Sequence, residues 1–374
     1  MKYIKDFKVS TGKICLISAI TDILNYYKYN LKEEDLFGLC EGQLFYFGGL
    51  DEKSEDELKD VHLLRELKMG GMKYDIMKMF ELIQNILNVE IVGYEYQNSN
   101  HLQSIIKEYV DKNIPLIAFA SRYYLEYFDN CSKDKFSHTI AVYGYDFEKD
   151  QVYVTDTYVA TKPVSTYKGP LSLNNFIKAL DLSEVVFEMP TKKSLIAVYP
   201  KDKNIMTDLP FQIRINSLVN IAKNNLSGSV IQHKIYTGID GMRKFVQEFK
   251  TWKHQYSVNL LKQLLKTVHN LITNYGGPYV TNGLLAGFIE ELYNVNRQPF
   301  YLELQGRFIN IQKQWLIIAN LCFKASLGDI FDSYDRISNY IERLIDEQEL
   351  LYFKLLALDK GEIERKKEYG KSKI

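Results

Sequence analysis

The chain has 374 residues, 46% of them hydrophobic, and 47 basic side chains balance 47 acidic ones for a formal net charge of zero. That length supports one or two sizeable cores, and the absence of a basic excess argues against nucleic acid as a main partner. The N-terminus, Met-Lys-Tyr-Ile-Lys-Asp-Phe-Lys, lacks the apolar core of a signal peptide, and the most apolar later stretch, Trp315 to Phe323, is too short to cross a bilayer.

Taken in chain order, the first predicted element is a helix opening near Cys15. Ser10, Thr11 and Gly12 offer a cap and a tight approach, and Ile14, Ile17, Ile20, Leu24 and Tyr27 recur near helical spacing. Residues 114–120 read as an apolar strand. Residues 138–145 and 151–158, β-branched and aromatic, flank the polar turn Asp146 to Asp150 and read as a hairpin. Another strand is expected at 194–198. After the run Pro200 to Asn204, helical periodicity covers 212–224, 239–272, 280–294, 298–326 and 328–358. The expected architecture is α+β followed by an all-α part: a catalytic domain over 1–203, a helical domain over 204–360 and a charged tail over 361–374.

The chemistry concentrates on three residues. A cysteine in the first turn of a helix meets unpaired N–H groups and the positive end of the helix dipole, which favour a thiolate. Such sites bring a thiol from about 8.5 to roughly 3.5 to 7.5, and the same N–H groups suit an oxyanion. His138 begins the first hairpin strand. With the turn centred near Glu148, Asp156 faces Ile140 and lies diagonal to His138 on the same face of the sheet. Asp146 and Asp150 fall in the turn, at the far end from His138. Cys15, His138 and Asp156 thus supply a nucleophile, a base and an orienting carboxylate. The four cysteines, at 15, 40, 131 and 322, have no paired-ligand spacing, so neither a metal site nor a disulfide framework is expected, and the thiols fit a reducing cytoplasm. His62, His101, His233, His254 and His269 show no ligand spacing either.

The stretch Gly12-Lys13-Ile14-Cys15-Leu16-Ile17-Ser18-Ala19, with Leu36 to Gln43, Gly48-Gly49, Ser137 to Asp146 and Val154 to Thr157, resembles the N-terminal domain of the butirosin side-chain acyltransferase family. Weaker similarity continues at Gly238 to Arg243, Tyr275 to Gly277 and Trp315. The resemblance implies a papain-like cysteine fold that moves an acyl group from a carrier-protein thioester to an amine in antibiotic biosynthesis, with Cys15 as nucleophile, His138 as base and Asp156 as orienter. Its partners are then an acyl carrier protein, which brings its own phosphopantetheine, and a small amine; no cofactor of the chain's own is implied, and a homo-oligomer is compatible.

Two departures matter. Papain-like peptidases place an oxyanion glutamine just upstream of the cysteine, where this chain has Lys8, Val9, Ser10 and Thr11, so peptidase activity loses support. Family members often carry a histidine immediately before the cysteine, where this chain has Ile14. Lys13 offers a cation that favours a thiolate, Gln43 a substitute oxyanion donor, and Glu41 either lines an acceptor pocket or anchors its loop. Six basic residues between 243 and 266 against Glu248 form a candidate docking face for an acidic carrier, or an ordinary solvated helix face. The helical domain is expected to cap the cleft and keep water from the acyl-enzyme. A cysteine hydrolase with the same triad and a non-catalytic binding protein on the same scaffold are the alternatives.

Overall fold

A computed structural model describes the chain apart from residues 51–52, 59–61, 73–74, 130, 134, 160–164, 183–191, 203–204, 232–233, 275, 329–330 and 372–374, and apart from the side chains of 331–333 and 359–371. In chain order the first elements are β1 (Lys2–Tyr3), α1 (Cys15–Tyr26), α2 (Glu33–Leu39), β2 (Gln43–Gly48), α3 (Glu55–Leu58), α4 (Leu63–Glu66) and β3 (Lys68–Met72). Then come α5 (Ile76–Leu87), β4 (Val89–Glu95), α6 (Ser99–Asp111), β5 (Leu116–Ser121), β6 (Ser137–Asp146), β7 (Gln151–Val159), β8 (Ser165–Ser172), α7 (Leu173–Leu180) and β9 (Ser194–Pro200). The remainder is α8 (Phe211–Ser227), β10 (Ser229–Ile231), β11 (Ile235–Thr237), α9 (Gly238–Gln255), α10 (Val258–Thr273), α11 (Pro278–Asn296), α12 (Pro299–Leu327) and α13 (Phe331–Lys371). The class is α+β, a sheet-rich N-terminal region followed by a helical one.

Two compact units form: Met1–Leu36 with Ile76–Asp208, and Phe37–Asp75 with Leu209–Ile374. Residues 37–75 therefore pack with the second unit, not with the rest of 1–203 as the sequence suggested. The reason is strand pairing, since β2 is hydrogen-bonded to β3 on one side and to β11 on the other, through Phe47 opposite Tyr236 and Tyr46 opposite Thr237. The second unit is accordingly not all-α, because a four-stranded sheet in the order β10-β11-β2-β3 lies within it. Helix α9 starts abruptly after that sheet at Gly238, whose φ of +63° and a virtual Cβ only 2.2 Å from the Asn225 carbonyl oxygen leave room for no side chain. The expected single helix 239–272 is two, α9 and α10, with Tyr256 and Ser257 between them and the Ser257 side chain capping α10. Backbone helix continues through 361–371, where a tail was expected; 372–374 lie outside the described residues.

The first unit is organised by a seven-stranded sheet in the order β4-β9-β5-β6-β7-β8, with β1 also paired to β6. Every residue of β5 is buried, as its unbroken apolar run requires of a strand covered on both faces. Helix α1 packs against β6, β7 and β9, and its residues Leu16 to Leu24 are all buried, so it is a core helix rather than an amphipathic surface one. Its polar members are satisfied locally. Thr21 donates to the Ile17 carbonyl, and Asp22 accepts from the Ser10 amide and hydroxyl. The expected cap from Ser10, Thr11 or Gly12 is thus not made: the N-cap position is Ile14, without a side-chain cap, and Ser10 serves Asp22 instead.

Candidate active site

The hairpin sets the first two members. Ala141 faces Thr155 and Val142 faces Val154, a register that, continued, puts Asp156 across from Ile140 and diagonal to His138. A bulge between Val142 and Gly144 shifts the pairing nearer the turn and leaves this end as expected. His138 and Asp156 are buried, at 3% and 0% exposure, and Nε2 of the imidazole is 2.8 Å from each carboxylate oxygen. A carboxylate only accepts, so Nε2 carries the proton and donates it. Tyr127 Oη donates to Asp156 Oδ2 at 3.0 Å and the Tyr158 amide donates to Oδ1 at 2.9 Å, which fixes the carboxylate in turn. The Phe128 ring stands edge-on to the imidazole at 5.5 Å.

Cys15 is the first residue of α1 and is partly exposed. The first in-helix bond runs from the Ser18 amide to the Ile14 carbonyl, so the amides of the opening turn precede the helical ladder. Three contacts position this turn. The Gly12 amide donates to the Thr157 carbonyl at 2.8 Å, one residue beyond Asp156. Gly12 itself passes so close to Ser18 that a Cβ would sit 1.8 Å from Oγ. The carboxylate of Glu33, at the start of α2, accepts from the amides of Lys13 and Ile14 and from Ser18 Oγ, at 3.0, 2.7 and 2.7 Å. A residue eighteen positions downstream of Cys15 thereby does what the local cap was expected to do.

The His138 ring and Thr139 neighbour the sulfur and favour charge on it. With Nε2 turned to Asp156, Nδ1 is the nitrogen left for Cys15. Burial pushes the Cys15 thiol up, but the charge and hydrogen bond of His138, together with Thr139, outweigh it and bring the thiol below its ordinary value. Burial likewise works against the charged imidazole, yet Asp156 and then Cys15 overcome it and raise His138 from 6.5 to about 9. Both shifts favour a thiolate facing an imidazolium over the neutral pair, an arrangement that can deliver a sulfur nucleophile and an adjacent proton donor.

Other sequence candidates take different places. The Lys13 ammonium pairs with Glu34 at 2.8 Å, so its charge is directed there and not to the sulfur. Gln43 and Glu41 belong to the second unit. Gln43 Oε1 accepts from Asn225 Nδ2 at 3.1 Å and from Tyr352 Oη at 2.9 Å, within a buried network that continues through Gln348 to Trp315. The Glu41 carboxylate is held by Asn220 and Asn224, so the anchoring role is the one it fills. Asp146 sits at the turn end of the hairpin, 3.8 Å from the N-terminal ammonium. On the basic face of α9, Arg243 pairs with Glu349, Lys244 with Glu248, Lys250 with Glu342 and Lys253 with Asp335, so much of its charge is neutralised within the unit. Sequence reasoning missed Tyr127, Glu33 and Thr139. The first two reach the site from separate elements, but Thr139 is the neighbour of His138 and was open to inspection. Among the described residues no group of three or more His, Cys, Asp or Glu side chains gathers to hold a metal, and no helix is long and apolar enough to cross a membrane.

Residues 14–157 match the family described as butirosin biosynthesis protein H, N-terminal, a span that begins one residue before Cys15 and ends one residue after Asp156. The similarity is to that family's N-terminal part over those residues alone; the resemblance read at 238–243, 275–277 and 315 lies outside the match. No curated protein matches the chain.

Proposed function

We propose that the protein is a cysteine-dependent acyltransferase that takes an acyl group from a carrier-protein thioester and delivers it to an amine, on a papain-like catalytic unit, in the biosynthesis of an antibiotic-like natural product. The observation that carries this reading is the Cys15, His138 and Asp156 constellation, a cysteine at a helix N-terminus beside an imidazole that a buried carboxylate keeps charged. The family match over the same residues supports an enzyme of biosynthesis.

In the first step the Cys15 thiolate adds its electron pair to the thioester carbonyl carbon, and the carbonyl π pair moves to oxygen. Collapse of that adduct breaks the bond to the carrier sulfur, which leaves with the proton of His138 Nδ1. The exchange trades one thioester for another and is close to isoenergetic. In the second step an amine nitrogen adds to the acyl-enzyme carbonyl, the now neutral His138 takes its proton, and Cys15 departs as thiolate when the amide forms. Asp156 fixes the ring so that Nδ1 stays aimed at sulfur, and Tyr127 and the Tyr158 amide keep Asp156 in place.

The test is product analysis with an acyl-loaded carrier protein, with and without a primary amine. Amide formation that disappears in Cys15→Ala is the expected result. Release of free acid at the same rate whether or not amine is present contradicts it and favours a hydrolase with the same triad.

A further inference from the structure

The polar side chains that the sequence singles out near Cys15, Ser10 as a cap, Lys13 as a cation for the thiolate and Gln43 as an oxyanion donor, have other partners. Ser10 is bonded to Asp22, Lys13 is paired with Glu34, and the Gln43 amide oxygen is held by Asn225 and Tyr352. One hydroxyl beside the sulfur is not engaged. Thr139 is 1% exposed, and among the described residues its Oγ1 has no partner that meets hydrogen-bond geometry, although it lies close enough to Cys15 to stabilise charge on sulfur. Buried hydroxyls are nearly always paired, and one left over at a reactive centre points to a group that arrives during the reaction.

The strand pairing leaves this end of β6 open on one side. β6 is paired to β5 as far as Ser137, through Phe119 opposite Thr139, whereas its ladder with β7 runs only from the turn to Ala141. Residues 138–140 thus have no ladder partner on the β7 side, and α1, whose first residue is Cys15, packs against β6.

We propose that the Thr139 hydroxyl is a catalytic donor of this site: it solvates the Cys15 thiolate at rest and turns to the acyl carbonyl oxygen when the sulfur attacks. This rests on the acyl-transfer reading above. As the sulfur lone pair forms the new C–S bond, negative charge leaves sulfur and appears on the carbonyl oxygen, so a hydroxyl rotor beside both follows the charge without moving its backbone. The Cys15 amide, at the head of α1, is the second donor to the same oxygen. The ligand group recognised is the carbonyl oxygen of an acyl thioester.

Two probes separate this proposal from the reading it rests on. Iodoacetamide alkylation reports the thiolate with no oxyanion in its transition state, and acylation by acetyl-N-acetylcysteamine, followed by intact mass, requires one. In Thr139→Val the midpoint of the alkylation pH profile rises, and the ratio of acylation to alkylation rates falls by roughly 10² to 10³, the loss associated with one oxyanion donor; Thr139→Ser restores most of both. A valine variant that melts like wild type and keeps the wild-type ratio and midpoint overturns the proposal. Should valine fail to fold, the same comparison between Thr139→Ala and Thr139→Ser decides it. Wild-type enzyme that alkylates at Cys15 but accepts no thioester contradicts the acyl-transfer reading instead, and the alkylation midpoint alone then decides whether Thr139 serves the sulfur.

Discussion

Replacing Asp156 with asparagine isolates the electrostatic core of the site. The buried carboxylate is the largest influence holding the His138 imidazole charged, against a burial that disfavours charge, and the net effect raises it from 6.5 to about 9. At roughly 1.4 kcal/mol per unit, the charged ring is favoured by about 3 kcal/mol relative to an ordinary histidine. Because the folded value lies above the unfolded one, this stabilisation is fully present below about 6.5 and is lost as pH rises through about 9. The asparagine side chain of Asp156→Asn keeps the shape, but it is neutral, its one oxygen can accept from only one of Tyr127 and the Tyr158 amide in their present positions, and its amide group donates to Nε2, so the ring becomes a neutral imidazole with its proton on Nδ1. The thiol then loses the counter-charge that outweighs its burial and returns toward, or above, its ordinary 9.0. At about pH 7.5 a thiol titrating there is only roughly 3% ionised, so the midpoint of thiolate formation moves up and the thiolate population at that pH falls. Thiolate ultraviolet absorbance against pH, with Cys15→Ala as the blank, reads this directly. An Asp156→Asn profile that overlays wild type would refute the argument that the carboxylate sets the ion pair.

Tyr127→Phe removes the hydroxyl that donates to Asp156 Oδ2 and leaves a buried carboxylate one donor short, so a loss of about 1 to 3 kcal/mol in urea unfolding is expected, while the stack of residue 127 on Tyr167 persists; no loss would mean that the bond is idle. Gly12→Ala places a Cβ 1.8 Å from Ser18 Oγ and forces the loop before α1 to shift, so Cys15 should lose its alkylation preference over the other part-exposed thiol, Cys131; peptide mapping of the alkylated sites checks this, and an unchanged preference contradicts it. Burial, only partly offset by Ser10, raises Asp22 from 3.8 to about 6, so the folded state holds its proton more tightly and stability declines as pH rises through that window, by up to about 3 kcal/mol. Asp22→Asn removes that slope, and unfolding free energies at about pH 4 and 7 should show the variant gaining on wild type; parallel values at both pH would contradict the assignment.

What the sequence disclosed and what it hid divide along chain separation. Period-two alternation on both sides of a polar turn was enough to place Asp156 diagonal to His138, because one hairpin fixes that geometry locally. The bulge between Val142 and Gly144 was not foreseen, although Gly144 inside an otherwise β-branched and aromatic strand is a residue that marks one. Helical spacing put Cys15 at a helix start, but the group that stabilises that start is Glu33, from the next helix, which no local capping pattern announces. The reading of Gln43 as an oxyanion donor failed to anticipate that β2 pairs with β11, nearly two hundred residues away, and is drawn into the core of the second unit with Asn225 and Tyr352. The basic stretch of α9 likewise looked free because its acids lie on α13.

The central claim is that Cys15 becomes covalently acylated. Rapid-quench intact mass of the full chain mixed with acyl-loaded carrier protein, followed by peptide mapping, should give one acyl group per chain on the Cys15 peptide, cleared by added amine as amide appears. An adduct on another residue, or amide produced by Cys15→Ala at the wild-type rate, would contradict it.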